Sequence, residues 1–303
     1  MIVVGVKDSF NLGLAGELKA DFIEIKMRRF PDGEICPRMI IEDGSIFKGA
    51  KVILSHRLRA GEGRPNDYLI EVIFASKRII ELGANEVYLV MPYLVYMRQD
   101  EPFRIGEPFS AKYVLKILHS SGIRKLFTVT AHFHRRRNFK ELYEGLDAYQ
   151  VSGFPALARY VSKKYTLKDP FILAPDEEAI VWAKEFADIV GGEAGALKKI
   201  RDLDTGEIKT IAAEYNLEDR DVVVVDDIVS TGGTMRNALL YARKRRAHRI
   251  YSCFVHPVLA GNALEKIKDV NPDDIVATDT LIWDRSKVSI LPDLLKLVKR
   301  EVS

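Results

Sequence analysis

Residues 222–235, VVVVDDIVSTGGTM, place two adjacent carboxylates, Asp226 and Asp227, between a run of valines and a turn made of Ser230, Thr231, Gly232, Gly233 and Thr234. The valine run has no polar alternation, so it predicts a short strand buried on both faces and ending at the acids. Past the acids, the paired glycines let the backbone approach an anion closely. The helix expected over MRNALLYARKRR aims its N–H groups and positive end at the same place. A phosphate monoester fits such a turn. Asp226 and Asp227 cannot bind phosphate themselves, but beside it they can accept from sugar hydroxyls or hold a Mg²⁺. A simple N-capping turn needs neither paired acids nor paired glycines.

Four other stretches carry usable groups. FPDGEI at 30–35 holds Phe30, Asp32 and Glu34, and by itself it is a turn with Pro and Gly well placed. PYLVYMRQD at 92–100 holds Arg98 and Gln99, and by itself its RQD is a generic polar loop. In AHFHRR, His132 and His134 share one side if the strand continues through them, so metal binding is conceivable; a surface role suits His134 better. Lys199 and Arg201, in LKKIR, stand at the start of IRDLDTGEIKT, which has the composition of a flexible hairpin; alternating on an extended strand they face the same way, and by themselves they are ordinary surface bases.

These loops need a scaffold. From residue 50 the chain alternates strand-like and helix-like segments: AKVILSH, NDYLIEVIFASKRIIELGANE, VYLVMPYL, SAKYVLKILHSSG, KLFTVTAHF. That alternation predicts βαβ units with a parallel sheet flanked by helices. Asn66 or Asp67 is expected to cap the first helix, with Gly83 at its left-handed end; Ser110 and Gly122 bracket the second. The pattern restarts after about residue 148, with FPALARYVSKKY and VWAKEFADIVGG as helices, DPFILAPDEE as strand and loop. The two halves look like a divergent duplication, and the boundary is expected near 145–150.

At 303 residues, with 47% hydrophobic and 29% charged residues, the chain is long enough for two cores and is not of disordered composition. No run reaches the ~18 apolar residues of a membrane span. The start, MIVVGVKDSFNLG, has no basic region before its apolar residues and predicts a strand and turn, so a cytoplasmic protein without membrane contact is expected. Cys36 and Cys253 lack metal-ligand spacing and are expected to be packing residues. A net charge of +3 does not argue for nucleic acid; RLRAGEGR, HRRRNFK and RKRRAHR are expected to be solvated faces.

The DDIVSTGGT segment resembles the phosphoribosyl diphosphate motif of type I phosphoribosyltransferases. Together with FPDGEI, NDYLIE at 66–71, PYLVYMRQD and LKKIR, in that order and spacing, the chain resembles the ribose-phosphate diphosphokinase family over nearly its whole length. The resemblance implies an α/β protein of two tandem phosphoribosyltransferase-like domains, 1–147 carrying the ATP-site loops and 148–303 the ribose 5-phosphate site and catalytic loop. It implies an ATP site of Phe30, Asp32, Glu34, Arg98 and Gln99. It assigns ribose 5-phosphate to Asp226, Asp227, Ser230, Thr231, Gly232, Gly233 and Thr234, catalysis to Lys199, Arg201 and His132, and Mg²⁺ to His132 and Asp176. ATP and ribose 5-phosphate would be the substrates, and the chain would assemble as a dimer or larger homo-oligomer. Thr130 stands where the family has an aspartate, and Glu177 and Glu178 follow Asp176 where relatives have glycines; these acids are expected to cap the next helix. They leave open a regulatory homologue, and a phosphoribosyltransferase is the other alternative.

Overall fold

The structure, a computed structural model, describes residues 1–302 apart from residues 63, 133–137, 202–207 and 212–214. The elements, in chain order, are β1 (Ile2–Gly5), α1 (Ser9–Leu18), β2 (Asp21–Arg29), β3 (Ile35–Met39), β4 (Lys51–Ser55), α2 (Pro65–Glu81), β5 (Glu86–Val90), α3 (Ser110–Ser120), β6 (Ile123–Val129), β7 (Asp147–Val151) and α4 (Phe154–Lys164). They continue with β8 (Phe171–Ala174), α5 (Ile180–Val190), β9 (Glu193–Ala196), β10 (Lys198–Arg201), β11 (Ile208–Ile211), β12 (Asp221–Val229), α6 (Gly233–Lys244), β13 (Arg249–Pro257), α7 (Ala263–Lys268), β14 (Asp274–Ala277) and α8 (Leu291–Val302).

Two compact units result: Met1–Leu58 with Arg64–Val151 and Leu291–Ser303, and Arg59–Gly63 with Ser152–Ile290. This differs from a single cut at 147/148. β7 stays with the first unit because it pairs with β6 from Lys125↔Asp147 to Val129↔Val151. α8 also belongs there: Leu294, Leu295, Leu297, Val298 and Val302 are buried, and the helix packs on α1, β6 and β7.

The first unit has one sheet, ordered β3-β2-β1-β4-β5-β6-β7. Its pairs are parallel except β2 with β3. β1, β4 and β5 are buried along nearly their whole length, the signature of strands covered on both faces, whereas β2 leaves the core after Ile25 and runs out into an exposed hairpin with β3. Cys36 lies on β3 and is exposed, unlike the buried Cys253, so only the latter is a packing residue.

The second unit has an all-parallel sheet, β14-β13-β12-β8-β9, and a separate antiparallel pair, β10 with β11. The valines of β12 are fully buried. However, the strand does not stop at the acids. It runs on to Val229, because β13 continues beside it with Asp226↔Phe254, Ile228↔His256 and Val229↔Pro257 in register.

Helix boundaries depart from local expectation where tertiary partners compete. α2 starts with Pro65 at its first position, and neither Asn66 nor Asp67 caps it. Asn66 instead accepts from the Tyr96 hydroxyl, and Asp67 pairs with Arg29. Ser110 is the first residue of α3 rather than its cap, and its hydroxyl donates to Gln99. Gly83 and Gly122 do take the left-handed conformation after their helices, at φ +95° each.

Candidate active site

In an open parallel sheet, ligands settle outside the carboxyl ends of the strands where neighbouring connections leave in opposite directions. In the second unit that point lies between β8, whose chain proceeds to β9, and β12, whose chain proceeds to β13 and β14. The two strands run side by side with Leu173↔Val224 in register. Asp176 follows β8 by two residues, and Asp226 and Asp227 are on β12, so the three carboxylates come to the same edge of one sheet. Asp227 is buried at 2% exposure, while Asp226 is half-buried.

Gly232 then precedes the first turn of α6 at φ +75°, and no side chain caps that helix. Its leading N–H groups are therefore available to an anion, with the positive end of the helix dipole behind them. Glycine is required at 232 on two counts. Its φ is left-handed, and a Cβ would stand 2.7 Å from the Ala263 carbonyl oxygen. At Gly233 a Cβ would meet nothing within 4 Å, so that residue keeps the approach to the turn open.

The turn is supported by groups that local sequence does not flag. Leu259 N donates to Val229 O and Ala260 N to Ser230 O, both at 2.9 Å, and Lys266 Nζ reaches Thr231 O at 3.2 Å. All three donors come from the β13–α7 connection or α7. Most of this support is backbone, which explains why residue types gave no signal for it.

Asp176 also has a local task that was assigned to its neighbours. Its Oδ1 accepts from Ala179 N at 3.1 Å, ahead of α5, while Glu177 and Glu178 are exposed and precede the first turn of that helix. Glu177 faces Lys198 at 3.9 Å instead. Lys199 and Arg201 lie on β10, opposite Thr210 and Ile208 of β11. The apex of that hairpin, 202–207, is outside the described residues.

The first unit gathers the other expected residues in two places. Phe30, Asp32 and Glu34 form the tip of the β2–β3 hairpin, closed by Phe30 N to Glu34 O at 2.8 Å and Gly33 N to Phe30 O at 3.0 Å, with Gly33 at φ +95°. The Arg28 guanidinium lies over the Phe30 ring, 4.7 Å from its centre. Arg98 and Gln99 occupy the β5–α3 connection. Arg98 is exposed, flanked by buried Met97 and half-buried Gln99, the latter tied down by Ser110 and by Ala111 N donating to its carbonyl. The two places are linked by α2. Arg29 of the hairpin pairs with Asp67, and Tyr96, two residues before Arg98, donates to Asn66. Tyr96 holds φ +66°, a conformation that a bulky residue keeps only where its surroundings impose it.

His132 is not on a strand. β6 ends at Val129, and Thr130 turns the chain with φ +38° while its N–H donates to Val151 O at 2.9 Å. The condition for His132 and His134 to share one side, a strand continuing to His132, is not fulfilled, and His134, with Arg135 to Arg137, lies outside the described residues.

The first unit has its own reversal point, between β1 and β4, and its own side chains fill it. Arg57 pairs with Asp8 and covers the Phe10 ring at 4.3 Å. His56 Nε2 lies 2.7 Å from Glu71 Oε2, and the Tyr68 hydroxyl donates to the His56 carbonyl. Burial, reinforced by the nearby Glu71 charge, pushes the Tyr68 phenol well above its ordinary value. Ser55 Oγ donates to Asn11 Oδ1 at 2.5 Å. The reversal point of the first unit is thus filled by its own side chains.

Known proteins match the chain in two stretches. Residues 2–122 match the family described as the N-terminal domain of ribose phosphate pyrophosphokinase, and residues 147–289 match the phosphoribosyl transferase domain. The ribose-phosphate pyrophosphokinase of Methanothermobacter thermautotrophicus is 34% identical over 301 residues, covering 98% of this chain and all of that one. The corresponding protein of Pyrococcus furiosus is 32% identical over 300 residues, covering 98% of this chain and all of its own. The crystal structure of phosphoribosylpyrophosphate synthetase from Mycobacterium smegmatis superposes with a TM-score of 0.80 at 21% identity, over 99% of this chain and 98% of that one. Full-length identity above 30% to several such relatives, with both domains matched, makes this chain a member of the ribose-phosphate pyrophosphokinase family.

Proposed function

We propose that the protein transfers the diphosphoryl group of ATP to the 1-hydroxyl of ribose 5-phosphate, giving phosphoribosyl diphosphate and AMP. The observation that carries this reading is the uncapped start of α6 beside Asp226 and Asp227 at the reversal point of the second sheet. A phosphate held by the N–H groups of Ser230 to Thr234 leaves the pentose hydroxyls within the province of the two carboxylates, which accept from them.

The 1-hydroxyl oxygen then attacks the β-phosphorus as its proton is released to solvent, the bond from that phosphorus to the α–β bridging oxygen breaks, and AMP departs with the bridging oxygen. Positioning and charge neutralisation dominate such a transfer. Phe30 stacks on the adenine, and Asp32 or Glu34 accepts from its amine. Arg98, with Gln99 and His132, orients the polyphosphate, and Lys199 and Arg201 neutralise charge on the moving group. Among the described residues no three His, Cys, Asp or Glu side chains converge as a ready-made metal cage. Mg²⁺ is usually held by one or two carboxylates plus substrate phosphates. Asp176, at the sheet edge, and His132 are the residues assigned to it, and the ion would supply additional positive charge against the polyphosphate.

Incubating the purified chain with ATP, Mg²⁺ and ribose 5-phosphate should release AMP in equal amount to phosphoribosyl diphosphate. Release of ADP, or no nucleotide turnover, would sink the assignment. The same reading places the protein in the cytoplasm. No described helix is long and apolar enough to cross a membrane.

Self-association belongs to the same proposal. Ile70 and Phe74 on α2, and Tyr113 and Ile117 on α3, are exposed at one-turn spacing and make apolar stripes on adjacent helices, around a recess lined by Ile73, Lys77, Lys116 and Ile117. A second copy of this chain is the proposed cover. Light scattering should then give a mass above that of one chain, and Phe74→Asp should lower it; a monomeric wild type rejects this part.

A further inference from the structure

We infer that the stretch Arg59–Glu62, in the connection between β4 and α2, is a strap that positions the Ser230–Thr234 turn, with Gly61 as its key residue. The inference rests on the assignment of that turn to the phosphate of ribose 5-phosphate. Although it interrupts the first unit in sequence, Arg59–Gly63 belongs to the second.

The contacts explain why. Arg59 bridges Ile282, Ala60 N donates to Ile282 O at 3.1 Å, and Gly61 N donates to Val258 O at 2.9 Å. The second bond matters most. The carbonyl of Val258 and the N–H of Leu259 belong to one peptide plane. Gly61 therefore grips the oxygen of the plane whose N–H holds Val229 O, the residue just before the phosphate turn. Hydrogen bonds in series through one peptide group strengthen each other, and fixing one end of the plane fixes the aim of the other. The following amide, Ala260 N, holds Ser230 O, and the Ala263 carbonyl lies against Gly232.

Two backbone outliers lie along this path. Leu259 has φ +51°, a conformation that a branched side chain does not favour and that persists when outside contacts enforce it. Gly61 has φ +79°, which glycine alone adopts freely. The strap supplies an outside contact to Leu259, and a glycine lets it do so.

Three substitutions in the full-length enzyme separate this role from general stability. Gly61→Pro removes the N–H and cannot adopt the required φ. Gly61→Ala keeps the N–H in a disfavoured conformation. Gly61→Asn keeps the N–H and tolerates the left-handed region. The KM values for ribose 5-phosphate and ATP, calorimetric affinity for ribose 5-phosphate alone, and the thermal midpoint are read for each. A misaimed turn should raise the KM and Kd for ribose 5-phosphate about tenfold in Gly61→Pro and about threefold in Gly61→Ala, with Gly61→Asn within about twofold of wild type and the KM for ATP within about twofold throughout. If Gly61→Pro does not fold, the difference between Gly61→Ala and Gly61→Asn decides. Unchanged ribose 5-phosphate constants in the folded variants would overturn the inference, as would a parallel rise in the KM for ATP. A wild type that binds ribose 5-phosphate but forms no AMP would refute the proposed reaction and leave the strap to be judged on Kd alone; failure to bind ribose 5-phosphate would overturn both.

Discussion

Lys199→Ala should lower kcat for AMP release by about 10²- to 10³-fold, the usual effect of removing one group that stabilises developing charge in the transition state. The KM values for ATP and ribose 5-phosphate should stay within about threefold of wild type, because a contact strengthened only as the diphosphoryl group moves contributes to kcat and not to ground-state binding. Arg201 is two residues along the same strand, and β10 pairs with β11 apart from the five-stranded sheet that carries the carboxylates. Arg201→Ala should therefore fall in the same range. The double variant should lose less than the product of the two, since cations serving one phosphoryl group are not independent. Lys198 supplies the control. Its side chain is exposed and lies 3.9 Å from the exposed Glu177, so Lys198→Ala should leave kcat within error. Steady-state kinetics at saturating substrates checks all four. Equal losses in Lys198→Ala and Lys199→Ala would remove the special role of the alternating pair.

What could be seen in the sequence, and what could not, follows the reach of the physics involved. The valines of β12 were legible because burial on both faces forces an unbroken apolar run. The end of that strand was not, since Asp226 to Val229 remain extended only because β13 keeps pairing with them. Asn66 and Asp67 satisfy every local rule for a helix cap, yet Tyr96 and Arg29, both distant in sequence, recruit them. α8 returns to the first unit through an apolar stripe that any partner could have covered. At the candidate site it was residue type alone, acids, glycines and hydroxyls in succession, that suggested an anion turn. Its supports, the amides of Leu259 and Ala260, carry no side-chain signature at all. At Asp176 the local reading differs: its Oδ1, rather than Glu177 or Glu178, accepts from Ala179 N ahead of α5.

Asp221→Ala should destabilise the second unit by about 2–3 kcal/mol, the scale for losing hydrogen bonds to a charged group. Asp221 is fully buried at the amino end of β12, opposite the carboxylates of the site. Its Oδ2 accepts from Lys168 N at 2.7 Å, its Oδ1 accepts from Arg249 Nε at 3.1 Å, and the His248 ring nitrogen lies 2.9 Å from the same oxygen. Burial alone would raise this carboxyl, but the Arg249 guanidinium, the Lys168 amide and His248 outweigh it and hold it below its ordinary value. A carboxyl depressed in the folded state contributes stability that is fully present above its unfolded value, about pH 4, and that is lost as the pH falls through the folded value. The wild type and Asp221→Ala should therefore differ most at neutral pH, by roughly 10 °C in thermal midpoint, and converge as the solution is acidified below about pH 4. Because the residue is at the far end of the strand from the phosphate turn, the KM for ribose 5-phosphate in the folded variant should not change. Calorimetric melts at pH 7 and pH 3 read the first two outcomes and initial rates at 25 °C the third. A midpoint difference that grows on acidification would show that the carboxylate is not the ionised hub of these contacts.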